Sequence, residues 1–238
     1  MKHWVTKVRS NLELYRLAAT SLAGKRFWLL FLVAPIYLLV RWTLHYFNFN
    51  QIEVADIQGD ILAVPMVLIG MVLGIRLIAG EISGRTLEII YTVPGGCERV
   101  WWSKLIAAVL ILLPLEVMLA VGAWFIFEPF PILMLLGAMQ TAIFYLLVAM
   151  GFAALFRSEV GGGIAVFALL MFNGLITGFG ENQIVVSPFF NPWMLEDAEF
   201  DEVVASTVQN KVGYLFLDFA ILALTFMRSN RREKLLSV

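Results

Sequence analysis

Cysteine and histidine are nearly missing from these 238 residues, which hold one Cys, Cys97, and two His, His3 and His45. A single thiol excludes an internal disulfide and any cysteine-rich metal site. Two histidines far apart, with no ligand cluster around either, give no zinc site, and no metal is expected. His45, beside Tyr46, reads as a polar anchor. A phosphate loop of the form G-x-x-x-x-G-K-[ST] is also missing. Gly24-Lys25-Arg26 is its nearest fragment and lacks both the upstream glycine and the hydroxyl. No Ser/His/Asp or Cys/His constellation stands in its place, so the chain is not read as an enzyme. The opening MKHWVTKVRSNLELYR lacks the short apolar core and small-residue cleavage site of a signal peptide. Charge is scarce too: Asp, Glu, Lys and Arg make up 15% of the chain, against about a quarter in soluble domains.

What fills the chain instead is apolar surface, 61% of residues at a mean hydropathy of +0.85. It comes in long runs, the mark of a bilayer as solvent. A helix crossing about 30 Å of hydrocarbon needs about 20 mainly apolar residues. Six stretches meet that length: 27–47, 57–79, 100–127, 132–156, 161–180 and 208–227. The last is densely apolar only from Val212 to Met227. The expected fold is therefore an all-α membrane protein of six transmembrane helices, a single transmembrane domain over 1–238. Gly161–Gly163 reads as flexibility at the start of the fifth helix.

The basic residues orient it. Lys2, Lys7, Arg9, Arg16, Lys25 and Arg26 precede the first span; Arg76, Arg85, Arg99 and Lys104 flank the connection between the second and third. Arg157 follows the fourth, and Arg228, Arg231, Arg232 and Lys234 close the chain. So 15 of the 17 Lys and Arg fall on one side, Arg41 and Lys211 excepted. The positive-inside rule then makes both termini cytoplasmic. The other connections hold Glu53, Asp56, Asp60, Glu128, Glu181, Glu196, Asp197, Glu199, Asp201 and Glu202. Within residues 1–25, Trp4, Val8, Leu12 and Tyr15 recur at helical spacing among Lys7, Arg9 and Arg16. That pattern predicts a basic amphipathic helix in the headgroup plane.

Among the cytoplasmic connections, residues 81–96 are the longest and most patterned. Ile82, Leu87, Ile89, Ile90 and Val93 alternate with Glu81, Arg85 and Glu88, and Pro94-Gly95-Gly96 ends the run. Glu81 and Arg85, four apart with the acid first, can pair along one helix face. The chemistry alone fits equally a short amphipathic helix that passes force from a partner and a solvated, salt-bridged hairpin.

The run Glu81-x-x-x-Arg85-Thr86-Leu87-Glu88, then Thr92-x-Pro94, then Arg99 and Lys104, resembles the cytoplasmic loop of type-2 ABC (ATP-binding cassette) transporter permeases. Two departures stand out: Arg85 interrupts the commoner Gly-Thr step, and Gly95-Gly96-Cys97 replaces a small-polar run. The resemblance implies that Glu81, Arg85, Thr86, Glu88, Thr92, Pro94 and Arg99 form a coupling helix that docks on an ATP-binding subunit. ATP and Mg would sit on that partner, with no cofactor in this chain. It further implies a second permease copy, identical or related, and a place in the plasma (inner) membrane of a bacterium or archaeon. Lipid is then the remaining partner and nucleic acid is not one. Family members often carry a short re-entrant or interfacial helix pair between the last two spans. Here the outer segment 181–207 contains VVSPFFNPWMLEDAEFDEV, where Pro188 and Pro192 break any continuous helix. The other reading of that segment is an ordinary loop whose Phe189, Phe190 and Trp193 join an aromatic belt.

Inside the spans, Glu116 and Asp218 are acids at membrane depth. Such groups cost about 2.5 kcal/mol or more on insertion scales and face protein or water. They either touch a polar substrate or protons, or hydrogen-bond to neighbouring helices; the second reading is favoured. Gly70-x-x-x-Gly74 and Gly174-x-x-x-Gly178 permit close helix approach. In the resembled family the second and fifth spans border the path, which makes Met66, Met71, Asn173 and Thr177 path candidates. The function that follows is the membrane subunit of an ATP-driven exporter for an amphipathic or hydrophobic substrate. The alternative is a non-transporting anchor that passes ATP-driven motion to a periplasmic or assembly partner. A secondary transporter would show inverted repeats and more intramembrane charge, and neither is evident.

Overall fold

The computed structural model describes residues 17–22, 24, 27–47, 49, 52–84, 96–177, 184–195 and 199–229. Among them no strand occurs, and six helices are long and apolar enough to cross a membrane. Helix α1 is Val33–Tyr46, entered through a 3-10 stretch Phe27–Leu32; α2 is Val64–Ser83, entered through a π-helical stretch Ile57–Ala63. Then come α3 (Gly96–Ile126), α4 (Leu133–Phe156), α5 (Glu159–Thr177) and α6 (Phe200–Ser229). We call the end carrying Ser83 and Cys97 the basic end, and the end carrying Asp60 and Glu128 the acidic end.

The boundaries differ most at α6. It begins at Phe200, about two turns before the expected position 208, and takes in Asp201, Glu202, Asn210 and Lys211. Apolar density marks where a helix can meet lipid, whereas helix length follows backbone hydrogen bonding, which the Val-, Ala- and Gln-bearing stretch before Val212 sustains. The π-helical stretch has a local cause. Pro65 has no N–H for the Ile61 carbonyl, and its ring would press on that carbonyl in a regular α-turn. A wider turn just upstream absorbs the clash, with the Val64 N–H reaching back to the Gly59 carbonyl.

Two helices form the centre. Of the most apolar 18 residues in each span, 72% are buried in the second and 67% in the fourth, against 11%, 22% and 28% in the first, fifth and sixth. Glycine sets their approach: a Cβ on Gly70 would come 3.0 Å from the Ala142 carbonyl oxygen, and one on Gly74 would overlap the Leu146 carbonyl. Gly70-x-x-x-Gly74 is thus a seam to α4 within this chain. Gly162 does the same for the α4–α5 hairpin, where an added Cβ would lie 2.6 Å from the Ala153 Cα. That corrects the reading of Gly161–Gly163 as a flexible start: Gly162 is buried and close-packed. Arg157 makes the turn between those helices in the left-handed region, at φ 53°.

Candidate functional site

The polar contacts gather at the two ends of α2. At the basic end, Glu81 in the last turn of α2 pairs with Lys104 in the third turn of α3. Both side chains are enclosed, 5% exposed for the lysine and 14% for the acid. One turn further in, Arg76 donates to the Leu22 carbonyl at 3.0 Å and so holds the 17–22 helix, whose Ala18 and Leu22 enter the core. Trp101, fully buried, stacks at a tilt on Phe226 of α6, 5.9 Å between centroids. The connection between α2 and α3 therefore leaves and returns through a buried ion pair.

Of the residues expected to couple to a partner, Glu81 is the one turned inward, to Lys104, and Arg99 is exposed on the first turn of α3. Arg85, Thr86, Glu88, Thr92 and Pro94 lie outside the described residues, as do the N-terminal residues Trp4, Val8, Leu12 and Tyr15. Lys104 was visible in the sequence only as a basic residue opening a span. Its pairing needed the fold, since 23 residues separate it from Glu81.

At the acidic end, residues 184–195 form an irregular segment seated among the helices. Ser187, Pro188, Phe190 and Asn191 are buried, Phe190 and Asn191 at 1% exposure. Buried irregular backbone must find partners for its carbonyls, and four side chains from three helices supply them. Gln58 donates to the Phe190 carbonyl at 3.1 Å and Thr141 to that of Pro188 at 2.7 Å. Asn210 donates to the Val185 and Ser187 carbonyls at 2.6 and 2.9 Å, and the Tyr214 hydroxyl to that of Val186 at 2.7 Å. Asn191 returns the grip: its amide donates to the Ala55 carbonyl at 2.5 Å, and its oxygen caps the Pro192–Met194 turn through the Trp193 N–H. Phe190 is therefore a buried plug and not part of a surface belt, while Trp193 stays 42% exposed.

The two exceptions to the charge pattern sit at this end. Arg41 of α1 forms an ion pair with Asp60 at 2.6 Å, and the Tyr37 hydroxyl donates to the Asp60 carbonyl. A cation on the acidic side is thereby balanced. Lys211 lies on α6, where its carbonyl accepts from Gln140 of α4 at 3.1 Å.

The candidate path residues are divided among packing roles. Met66 is fully enclosed in the core shared by α2, α3 and α4, and Met71 lies in a second cluster with Tyr145, Val166 and Tyr214. Thr177 is buried and donates to the Asn173 carbonyl at 2.9 Å; Asn173 faces Ser187 of the seated segment. Glu116 is 6% exposed on α3, and one of its oxygens has no hydrogen-bond partner among the described residues. The same holds for Asp218 on α6. The intramembrane acids are thus on different helices and are not brought together. No group of three or more His, Cys, Asp or Glu able to hold a metal occurs among the described residues. Sequence reading missed Gln58, Thr141, Asn191 and Asn210. Only Asn191-Pro192 carried a signal, an Asx cap before a proline turn.

No family model, curated protein or solved structure matches the chain.

Proposed function

We propose that this chain is the permease subunit of an ATP-driven exporter of the type-2 ABC kind, in the plasma membrane of a bacterium or archaeon. It moves an amphipathic or hydrophobic substrate with ATP hydrolysed on a separate subunit. The observation that carries this reading is the buried Glu81–Lys104 pair at the root of the 85–95 connection. A loop that merely floats in solvent has no need of an enclosed ion pair joining its two supporting helices. A loop that a partner pushes does, because the pair passes displacement to α2 and α3 together. The loop sequence, Arg85-Thr86-Leu87-Glu88 and Thr92-x-Pro94, supplies the resemblance to a coupling helix. The segment seated at the acidic end suits an exporter that is shut on the side where substrate leaves.

The test is purification in mild detergent with the natively flanking subunits, followed by mass identification of what accompanies the chain. An ATP-binding subunit that copurifies with the wild-type chain and is lost on Arg85→Ala supports the reading. A monodisperse chain with no ATPase in any preparation sinks it.

A further inference from the structure

Four buried polar atoms without a hydrogen-bond partner among the described residues line one seam beneath the seated segment. They are the Tyr145 hydroxyl on α4, Asn173 Nδ2 on α5, and Asn210 Oδ1 and Asp218 Oδ1 on α6. Unsatisfied buried groups are uncommon and call for a physical reason. Here they are not scattered. Asn210, Tyr214 and Asp218 recur every four residues, which places them on one stripe of α6. That stripe faces α4: Gln140 bonds the Lys211 carbonyl at 3.1 Å, and a Cβ on Gly151 would meet the Thr225 hydroxyl at 3.2 Å. The two helices therefore run parallel. Tyr145 is five residues past Gln140 and Asp218 is seven past Lys211. At 1.5 Å per residue they stand within about 3 Å of the same height. Asn173 and Asn210 flank Ser187 from opposite helices, at 3.4 Å from its hydroxyl and 2.9 Å from its carbonyl.

The chemistry of this seam selects a ligand. One carboxylate supplies charge, and among the described residues no cation pairs with it. Lys211, the nearest cation along α6, lies about 10 Å away along the axis. Tyr145, Tyr214 and Phe144 pack around the seam, with ring centroids 4.9 Å apart for Phe144 and Tyr214 and 5.2 Å for Phe144 and Tyr145. A carboxylate beside aromatic rings is the environment that takes an ammonium group. The Tyr145 hydroxyl, at nearly the height of Asp218, is a further acceptor for its N–H groups, whereas Asn210 stands about 12 Å further along α6. Val67, Met71, Val148 and Val166 of the same cluster make the surroundings apolar, which suits an amine that carries a hydrocarbon chain. We infer that the seam between α4, α5 and α6 is a binding site for the primary ammonium group of an amphipathic amine, with Asp218 as counter-ion and Tyr145 as positioning hydroxyl. The site concerns binding to this chain alone and stands or falls apart from the ATP-driven reading.

The test uses the full chain in neutral detergent and a long-chain primary alkylamine carrying a photoreactive diazirine, with labelled peptides mapped by mass spectrometry. Labelling is expected on the α4 peptide around Tyr145 and the α6 peptide around Asp218. Unlabelled alkylamine should compete it away, while the alcohol of equal chain length should not. Asp218→Asn should cut labelling at least tenfold and leave the chain at least as stable, since it removes an unpaired carboxylate. Tyr145→Phe should weaken labelling severalfold. Competition by the alcohol as strong as by the amine would overturn the inference, as would equal labelling of the Asp218→Asn chain. Should that variant misfold, the amine-against-alcohol comparison on the wild-type chain decides alone.

Discussion

The Glu81–Lys104 pair makes a sharp energetic demand. Removing one member of a buried ion pair leaves the other desolvated and unmatched, at about 3–5 kcal/mol. Lys104 is nearly sealed, at 5% exposure, whereas Glu81 at 14% keeps some access to polar surroundings. Glu81→Gln should therefore fall at the low end, about 3 kcal/mol, because the amide can still accept one bond from the lysine. That is a shift of about two decades in the folding equilibrium. Replacing both, as Glu81→Met with Lys104→Met, removes two desolvation penalties and keeps volume and apolar contact. The double variant should lie within about 1 kcal/mol of wild type. The assay is reversible unfolding in mixed micelles of neutral detergent and dodecyl sulfate, followed by tryptophan fluorescence. Trp101, fully buried and one helical turn before Lys104, reports the site directly. The coupling energy from the four-member cycle should be about 2 kcal/mol or more. Single variants within about 0.5 kcal/mol of wild type would refute the argument and mean that water reaches the pair.

Three further outcomes follow from the packing. Gly74→Ala drives a Cβ into the Leu146 carbonyl, a backbone atom that cannot swing aside. It should destabilise by about 1–3 kcal/mol, whereas Gly59→Ala, with nothing within 4 Å, should change stability little; thermal unfolding in one detergent compares them. Asn191→Ala removes the bond to the Ala55 carbonyl and the cap on the Pro192–Met194 turn. A loss of about 1–3 kcal/mol should show as faster amide exchange in residues 184–195, with helix amides far from the segment unchanged. Arg41→Met breaks the pair with Asp60, but that acid is 43% exposed. The effect should stay near 1 kcal/mol and shrink as salt is raised, read by the unfolding midpoint at two ionic strengths.

Much of the architecture was legible because a bilayer imposes length. A run such as Leu133–Phe156 has few ways to satisfy its backbone other than one helix across the membrane. The charge pattern even marked its own anomalies, and Arg41 proved to have an acid opposite it. What stayed hidden was whatever depends on pairing across the chain. Gln58 and Phe190 are separated by 132 residues, Asn191 and Ala55 by 136. No periodicity relates such positions, and an isolated Gln at the edge of a span or Asn between two spans looks like solvated polarity. The start of α6 was hidden for another reason: Asp201 to Lys211 are helical without being densely apolar, so a criterion built on hydropathy begins the helix too late. Glycine was legible by spacing in α2, yet whether it served a partner chain or this one depended on seeing Leu146 across the seam.

These contacts tie α2 at both of its ends. Its basic end is tied to the 17–22 helix through Arg76 and to α3 through Glu81. The stretch leading into its acidic end is tied to the seated segment through Gln58 and to α1 through Asp60. Between those ends, Gly70 and Gly74 bring its backbone against that of α4, with no side chain free to slip between them. Close-packed interiors transmit displacement instead of absorbing it, so α2 and α4 must move as one body. The π-helical stretch Ile57–Ala63 is where the regular hydrogen-bond ladder changes register. The regular part of α2 therefore runs from the Glu81 pair to this stretch, which carries Gln58 and Asp60. Asp60 pairs with Arg41 of α1, and Gln58 is one of four side chains, with Thr141, Asn210 and Tyr214, that hold the seated segment. The seated segment is thus fixed both to the stretch leading into α2, through Gln58, and to α4, through Thr141, the two helices that are themselves packed backbone to backbone.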